Sequence, residues 1–208
     1  MSTDVSARRT QTRDRLIEAA LTVFAERGVG GASVEEICDT AGFTRGAFYS
    51  NFESKDDLCL AVLERQSDED MAAARGAIAS LAEGPTRTTD ALVADAIDAF
   101  LRAQRADRRW VLASSELRLY AAREASLREA YLALTRRTGD LFATLVTEAA
   151  AGLGYELAVS GREAVSVLHA VFEHGAIDAL IQGRPTADEV RARELVAVLR
   201  ALLRPRSG

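Results

Sequence analysis

Arg45, Gly46 and Tyr49 are the residues whose types and spacing best suit contact with another molecule. At about 100° per helical residue, Arg45 and Tyr49 fall about 40° apart on one face. A guanidinium can fork onto O6 and N7 of guanine, while phenol and threonine hydroxyls more often reach phosphate. Gly46, between them, gives up about 1 kcal/mol of helix propensity relative to Ala and lets another surface come close. Phe48 lies on a different face, with Thr44, and is aimed at a core. The chemistry implied is recognition of duplex DNA, not the making or breaking of bonds.

Such a rod needs a frame, and the flanking residues supply one. Ser33 with Glu36 makes a capping box that starts a helix with Val34, Ile37, Cys38 and Ala41 on its inner side. Gly42 provides a tight turn and Phe43 packs beside it. Thr44 caps the next helix, which runs to about Ser50. Ser33 to Phe52 therefore reads as a helix-turn-helix whose second helix enters a major groove. Before it, a helix from Arg9 to Arg27 carries Leu16, Ile17, Ala20, Leu21 and Phe24 as one stripe, and Gly28 stops it. Residues 1–8 are expected to be an unstructured tail. Arg8, Arg9 and Arg13 are placed to act as an arm toward DNA or as a solvated surface. Lys55, the single lysine beside 25 arginines, sits with Ser54 at the start of a fourth helix that extends to about Leu81. Ser33 and Lys55, each at a helix N-terminus, are phosphate-contact candidates.

Beyond Gly84-Pro85 the pattern stays helical. Candidates are Thr88–Arg105, Asp107–Tyr120, Glu124–Ala151, Arg162–Gln182 and Ala187–Leu203. Capping boxes at Ser160/Glu163 and Thr186/Glu189 mark the last two starts. No alternating stretch of strand length appears. The expected fold is all-α, about nine helices. Residues 1–54 form an N-terminal arm and helix-turn-helix domain, and residues 55–208 a C-terminal domain reached through the long fourth helix.

Composition narrows the function. The net charge is −5, and residues 1–57 hold seven basic against ten acidic groups, so DNA binding requires charges sorted by face. Cys38 and Cys59 lie on apolar helix faces and read as buried thiols rather than a disulfide framework. No uninterrupted apolar run approaches the length of a bilayer span, and the N-terminus lacks a signal-peptide core, so a cytoplasmic protein without membrane contact is expected. His169 and His174 project about 140° apart on a helix, which does not suit one metal. No metal-ligand, P-loop or nucleophile–base spacing is present, so no catalytic residue, metal or cofactor is expected.

From Thr12 to about Leu63 the chain closely resembles the DNA-binding region of TetR-family (tetracycline-repressor-like) transcriptional regulators. The residues that carry the resemblance are the stripe through Phe24, the Gly28 stop, Ser33-Val34-Glu35-Glu36-Ile37, Ala41 to Tyr49, Asn51-Phe52 and Lys55-Asp56-Asp57-Leu58. The family often has His where Asn51 stands. The resemblance implies operator contacts from Thr44, Arg45, Tyr49 and Lys55. It also implies a C-terminal ligand-binding and dimerisation domain in which Arg162–Gln182 and Ala187–Leu203 pack against a second copy. Phe100, Trp110, Leu117, Tyr120, Phe142, Val146, His169 and Phe172 are candidates for a pocket taking a small apolar or aromatic effector. The expected protein is a homodimer on a pseudo-palindromic duplex, most simply a repressor released by its ligand. A regulator without an effector, or a helical adaptor that no longer reads DNA, are the alternatives.

Overall fold

In the computed structural model, residues 2–82, 107–185 and 189–206 are described, with residues 88, 91, 93–96, 98 and 101 between them. The helices in chain order are α1 (Ser2–Gly31), α2 (Val34–Ala41), α3 (Arg45–Tyr49), α4 (Lys55–Ala82), α5 (Arg108–Arg123), α6 (Ala125–Gly152), α7 (Gly161–Ile181) and α8 (Glu189–Leu202). Two short strands, β1 (Tyr155–Leu157) and β2 (Leu203–Pro205), pair antiparallel, with Glu156 opposite Arg204. The chain divides into two compact units, one of Met1–Gln66 with Asp107–Ala133, the other of Ser67–Ala106 with Leu134–Gly208.

The first unit is built around α1. Leu16, Leu21 and Phe24 from α1, Ile37 from α2, Phe48 from α3, Phe52 and Leu58 are fully buried together. Leu117 of α5 and Leu127 of α6 complete the same core. Each such side chain contributes about 1.5–3 kcal/mol by leaving water. Packing therefore does not divide the chain after residue 54, because α5 and the start of α6 close the core that the helix-turn-helix opens. Glu18 of α1 ties the outside of this unit together. It pairs with Arg65 of α4 and, at 2.9 Å, with Arg109 of α5, which also donates to Thr22 at 3.2 Å.

Two expectations change at the ends of the chain. The residues expected as a tail are helical from Ser2, since nothing between Ser2 and Arg9 breaks a helix. The C-terminal end enters the β ribbon, whose three-residue strands are too short to show an alternating pattern. Gly28 interrupts α1 at φ 73°, ψ 157°, a conformation that belongs essentially to glycine. A Cβ there would lie 2.7 Å from the Glu116 carboxylate.

The second unit is held by α7 and α8. Leu168 and Phe172 of α7 meet Leu195 and Leu199 of α8, with Val93 against them. Ser160 and Glu163 form the expected capping box at the start of α7, with mutual contacts at 2.9 and 3.2 Å. The third expected box, at Thr186, lies outside the described residues, as does most of the expected helix Thr88–Arg105. By length and mean composition α7 could cross a membrane. Its stripe of Ala164, Leu168, Phe172, Ala176 and Ala179 is buried, while on its outer side His169 meets Glu173 at 3.2 Å and His174 meets Asp178 at 3.4 Å.

Candidate nucleic-acid interface

The candidate surface starts from two caps. Ser33 Oγ accepts from the Glu36 N–H while the Glu36 carboxylate accepts from the Ser33 N–H, both at 3.1 Å. The Ser33 N–H first, and the Ser33 hydroxyl donating to the same carboxylate second, hold the Glu36 carboxyl below its ordinary range. At the far end of α2, Gly42 takes the left-handed conformation (φ 70°, ψ 38°) that the turn needs. Thr44 then caps α3, its Oγ1 accepting from the Ala47 N–H at 3.3 Å. Ser33 and Thr44 are thus occupied as caps, and Thr44 is exposed beside the surface.

A helix of five residues has no stability of its own. Phe48, fully buried, pins α3 to the core and packs at 5.7 Å on Phe52 and 5.2 Å on Tyr49. Pinning that one side chain turns the opposite side of α3 outward. Tyr49 is 52% exposed, and Arg45 and Gly46 are exposed with it. The Arg45 guanidinium lies 5.9 Å from the Tyr49 ring centre and pairs with Glu35 of α2 at 2.6 Å. The Tyr49 hydroxyl first, and the Glu35 charge second, make Arg45 still harder to deprotonate. A Cβ on Gly46 would meet nothing nearer than Thr44 Oγ1 at 3.7 Å. Internal packing therefore does not demand glycine there, and the open space faces outward.

The other cations make contacts within the fold. Lys55 Nζ donates to Val29 O (2.8 Å) and Ala32 O (3.0 Å) and lies 5.2 Å from the Tyr120 ring. Two of its three N–H groups therefore serve the fold. Arg13 donates to Asn51 O at 3.1 Å and stacks on Phe52, and Arg9 donates to Ser50 O at 3.3 Å. Arg15, not singled out from sequence, donates to Ala41 O at 2.7 Å and stacks on Phe43. These guanidiniums satisfy carbonyls at the C-terminal ends of α2 and α3, where a cation also suits the helix dipole. Arg9 and Arg13, read from sequence as an arm toward DNA or a solvated surface, hence brace the helix-turn-helix. Asn51 turns inward as well, its Nδ2 donating to Ala47 O at 2.8 Å.

The effector candidates fall in both units. Leu117 belongs to the core of the first unit, with Trp110 and Tyr120 packed against it. Tyr120 donates to Asp56 at 3.3 Å, beside Ser126, which donates to the same carboxylate at 2.6 Å. Burial, then the Asp56 charge, push the Tyr120 phenol up to about 12. Phe142 is half-buried and Phe172 buried in the second unit, whereas His169 is exposed and pairs with Glu173. Phe100 lies outside the described residues. Both thiols are buried, and burial raises them, Cys59 to about 12.

Comparison with known proteins matches residues 16–62 to the family described as bacterial regulatory proteins, tetR family. The chain is 43% identical over 63 residues to the transcriptional regulator SrpR of Pseudomonas putida, covering 30% of each protein. It is 36% identical over 86 residues to the transcriptional activator FasR of Mycolicibacterium smegmatis, covering 41% of this chain and 39% of that protein. The chain thus spans about a fifth to just under half of the length of the curated relatives it matches. In fold it is similar to a TetR-family regulator from Rhodococcus sp., with a TM-score of 0.72 and 22% identity over 93% of this chain and 98% of the other. The match over residues 16–62 covers the segment that displays Arg45 and Tyr49, so in that segment the chain is similar to the tetR family of bacterial regulatory proteins, a family of transcription regulators.

Proposed function

We propose that the chain regulates transcription as a homodimer that binds a pseudo-palindromic DNA duplex and leaves it when a small apolar or aromatic ligand binds. The observation that carries this reading is the outward pairing of Arg45 and Tyr49 on a helix whose one buried residue, Phe48, fixes its orientation. Arg45 reads a guanine, while Tyr49 and Thr44 hold phosphate, with Ser33 and the third N–H of Lys55 at the flanks. Dimerisation through α7 and α8 is supported by apolar side chains that α7 leaves uncovered, Val167 and Ile181. A two-fold dimer sets its recognition helices about 34–36 Å apart, one turn of DNA. Phe142 and Phe172 are the candidates to line an effector site in the second unit, and Trp110 and Tyr120 flank the core that steadies the reading helix. A cytoplasmic location follows from that role.

Repression is the simpler mode, because occupying a promoter blocks it without a further contact surface. Activation is the second reading, favoured by the relative named an activator. Anisotropy titration on the duplex upstream of the chain's own gene tests the proposal. Saturable, salt-dependent binding that Arg45→Ala weakens is expected, and transcription in vitro from that duplex gives the sign. Salt-independent or absent binding by the unaltered chain would leave the adaptor reading. Binding that no apolar ligand relieves would leave a regulator without an effector.

A further inference from the structure

Arg45 opens α3, at the end of a helix where the backbone dipole disfavours a cation. Its head is held between two neighbours. Nη1 meets Glu35 Oε1 at 2.6 Å, and the Tyr49 ring centre lies 5.9 Å away. The anchor of the carboxylate is rigid, because α2 is capped at both ends, by the Ser33 box and by Gly42. An exposed ion pair of this kind adds little to stability. A carboxylate on a surface that approaches phosphate also works against affinity. Neither stability nor attraction to DNA therefore accounts for the pair. Orientation does: a guanidinium has five N–H donors, and only a correctly turned edge donates two parallel bonds to guanine. A free arginine satisfies itself on any nearby phosphate, whereas one held at Nη1 keeps its remaining edge in a fixed direction.

Resting on the DNA-reading role of α3, we infer that Glu35 is a positioning residue that sets base specificity, holding the Arg45 guanidinium toward one guanine in each half-site and disfavouring registers that bring phosphate to it. Glu35 acts through Arg45 and contacts no base. Its removal raises affinity for random duplex and lowers discrimination.

The test is selection from a randomised duplex pool two helical turns long, run with the full chain and with Glu35→Gln, Glu35→Ala, Arg45→Ala and the Arg45→Ala/Glu35→Ala double variant. Far-UV circular dichroism confirms that each is folded. The full chain selects a two-fold motif. The Glu35 variants lose about three- to tenfold of the preference at a single position per half-site, part of what a bidentate contact supplies, keep the others, and bind random duplex more tightly. Arg45→Ala erases that same position, and adding Glu35→Ala to it changes the motif no further. Glu35 variants that select the original motif at full strength would reduce Glu35 to a solvated ion-pair partner. Survival of the guanine preference in Arg45→Ala would overturn the inference by removing the group through which Glu35 acts. A full chain that selects no motif sinks the DNA-reading role itself, and is recognised because every protein in the set then behaves alike.

Discussion

The two units are held together by different means. In the first, charged groups tie helices to backbone carbonyls far away in sequence. Arg15 reaches Ala41, Arg13 reaches Asn51 and Lys55 reaches Val29 and Ala32, around a core with three fully buried phenylalanines. In the second, contact is mainly helix on helix, with aliphatic side chains and the close seating of Gly161 against Ala143 and Thr147. The second unit also leaves Ile181 77% exposed, with Leu141 and Val167 exposed as well. Leu119 and Leu132 are exposed in the first unit, yet single surface leucines are ordinary. A unit braced at many points can present an invariant reading surface. A unit with apolar flanks left open is suited to accept a partner or a ligand.

The sharpest way to break this contrast is Phe48→Ala. Loss of a fully buried aromatic costs about 3–5 kcal/mol, and α3 loses its one buried side chain. Urea denaturation should show the loss, and DNA binding should vanish. Ile181→Ala, at the opposite extreme of exposure, should leave monomer stability nearly unchanged while shifting the association state in sedimentation. Gly161→Ala comes next. A new Cβ would lie 2.7 Å from Ala143 O and press on Thr147 Oγ1. Overpacking of this kind costs about 1–3 kcal/mol, and a thermal melt should place it in the second unit, with intrinsic DNA contacts intact.

Lys55→Ala removes the donor from two carbonyls, for a loss of about 1–3 kcal/mol. Measuring stability and the salt slope of DNA binding together divides the work of this residue. A stability loss with an unchanged slope assigns it wholly to the fold, and a flatter slope adds the phosphate contact. Gly46→Ala is predicted to act in the other direction, stabilising the chain by about 0.5–1 kcal/mol, since a methyl has room there, while weakening operator binding. Equal or tighter binding in that variant would mean that nothing approaches α3 closely.

The smallest effect is alkaline. Tyr120 titrates near its ordinary 10.0 when unfolded and about 12 in the fold, so the folded state retains its proton longer. Its contribution is therefore complete below pH 10 and declines as pH climbs from 10 toward 12. Melting curves across that window should flatten in Tyr120→Phe.

Much of the interface was legible because its signals are local. A cap and its partner stand three residues apart, as do Ser33 and Glu36, and the turn glycine and the Arg45–Tyr49 face follow from helical geometry alone. What sequence hid is long-range. Nothing in a string of residues distinguishes an arginine that braces a carbonyl 26 positions away, as Arg15 does, from one that awaits phosphate. The Arg9–Arg13 spacing hinted that they share a helix face, but not which way it looks. The participation of α5 in the first core was invisible for the same reason, since Leu117 meets its neighbours only after folding. The ribbon of β1 and β2 leaves no trace in a pattern that needs more residues than it has.

The brevity of α3 has a consequence for how the protein fails. A rod of five residues cannot persist once Phe48 slips from its socket, so the surface proposed to grip DNA and the integrity of that socket are lost together. Mild heating or a loosening substitution as remote as Leu117 should blunt the proposed recognition well before the remainder of the molecule melts, making DNA binding a more sensitive gauge of damage than bulk helicity.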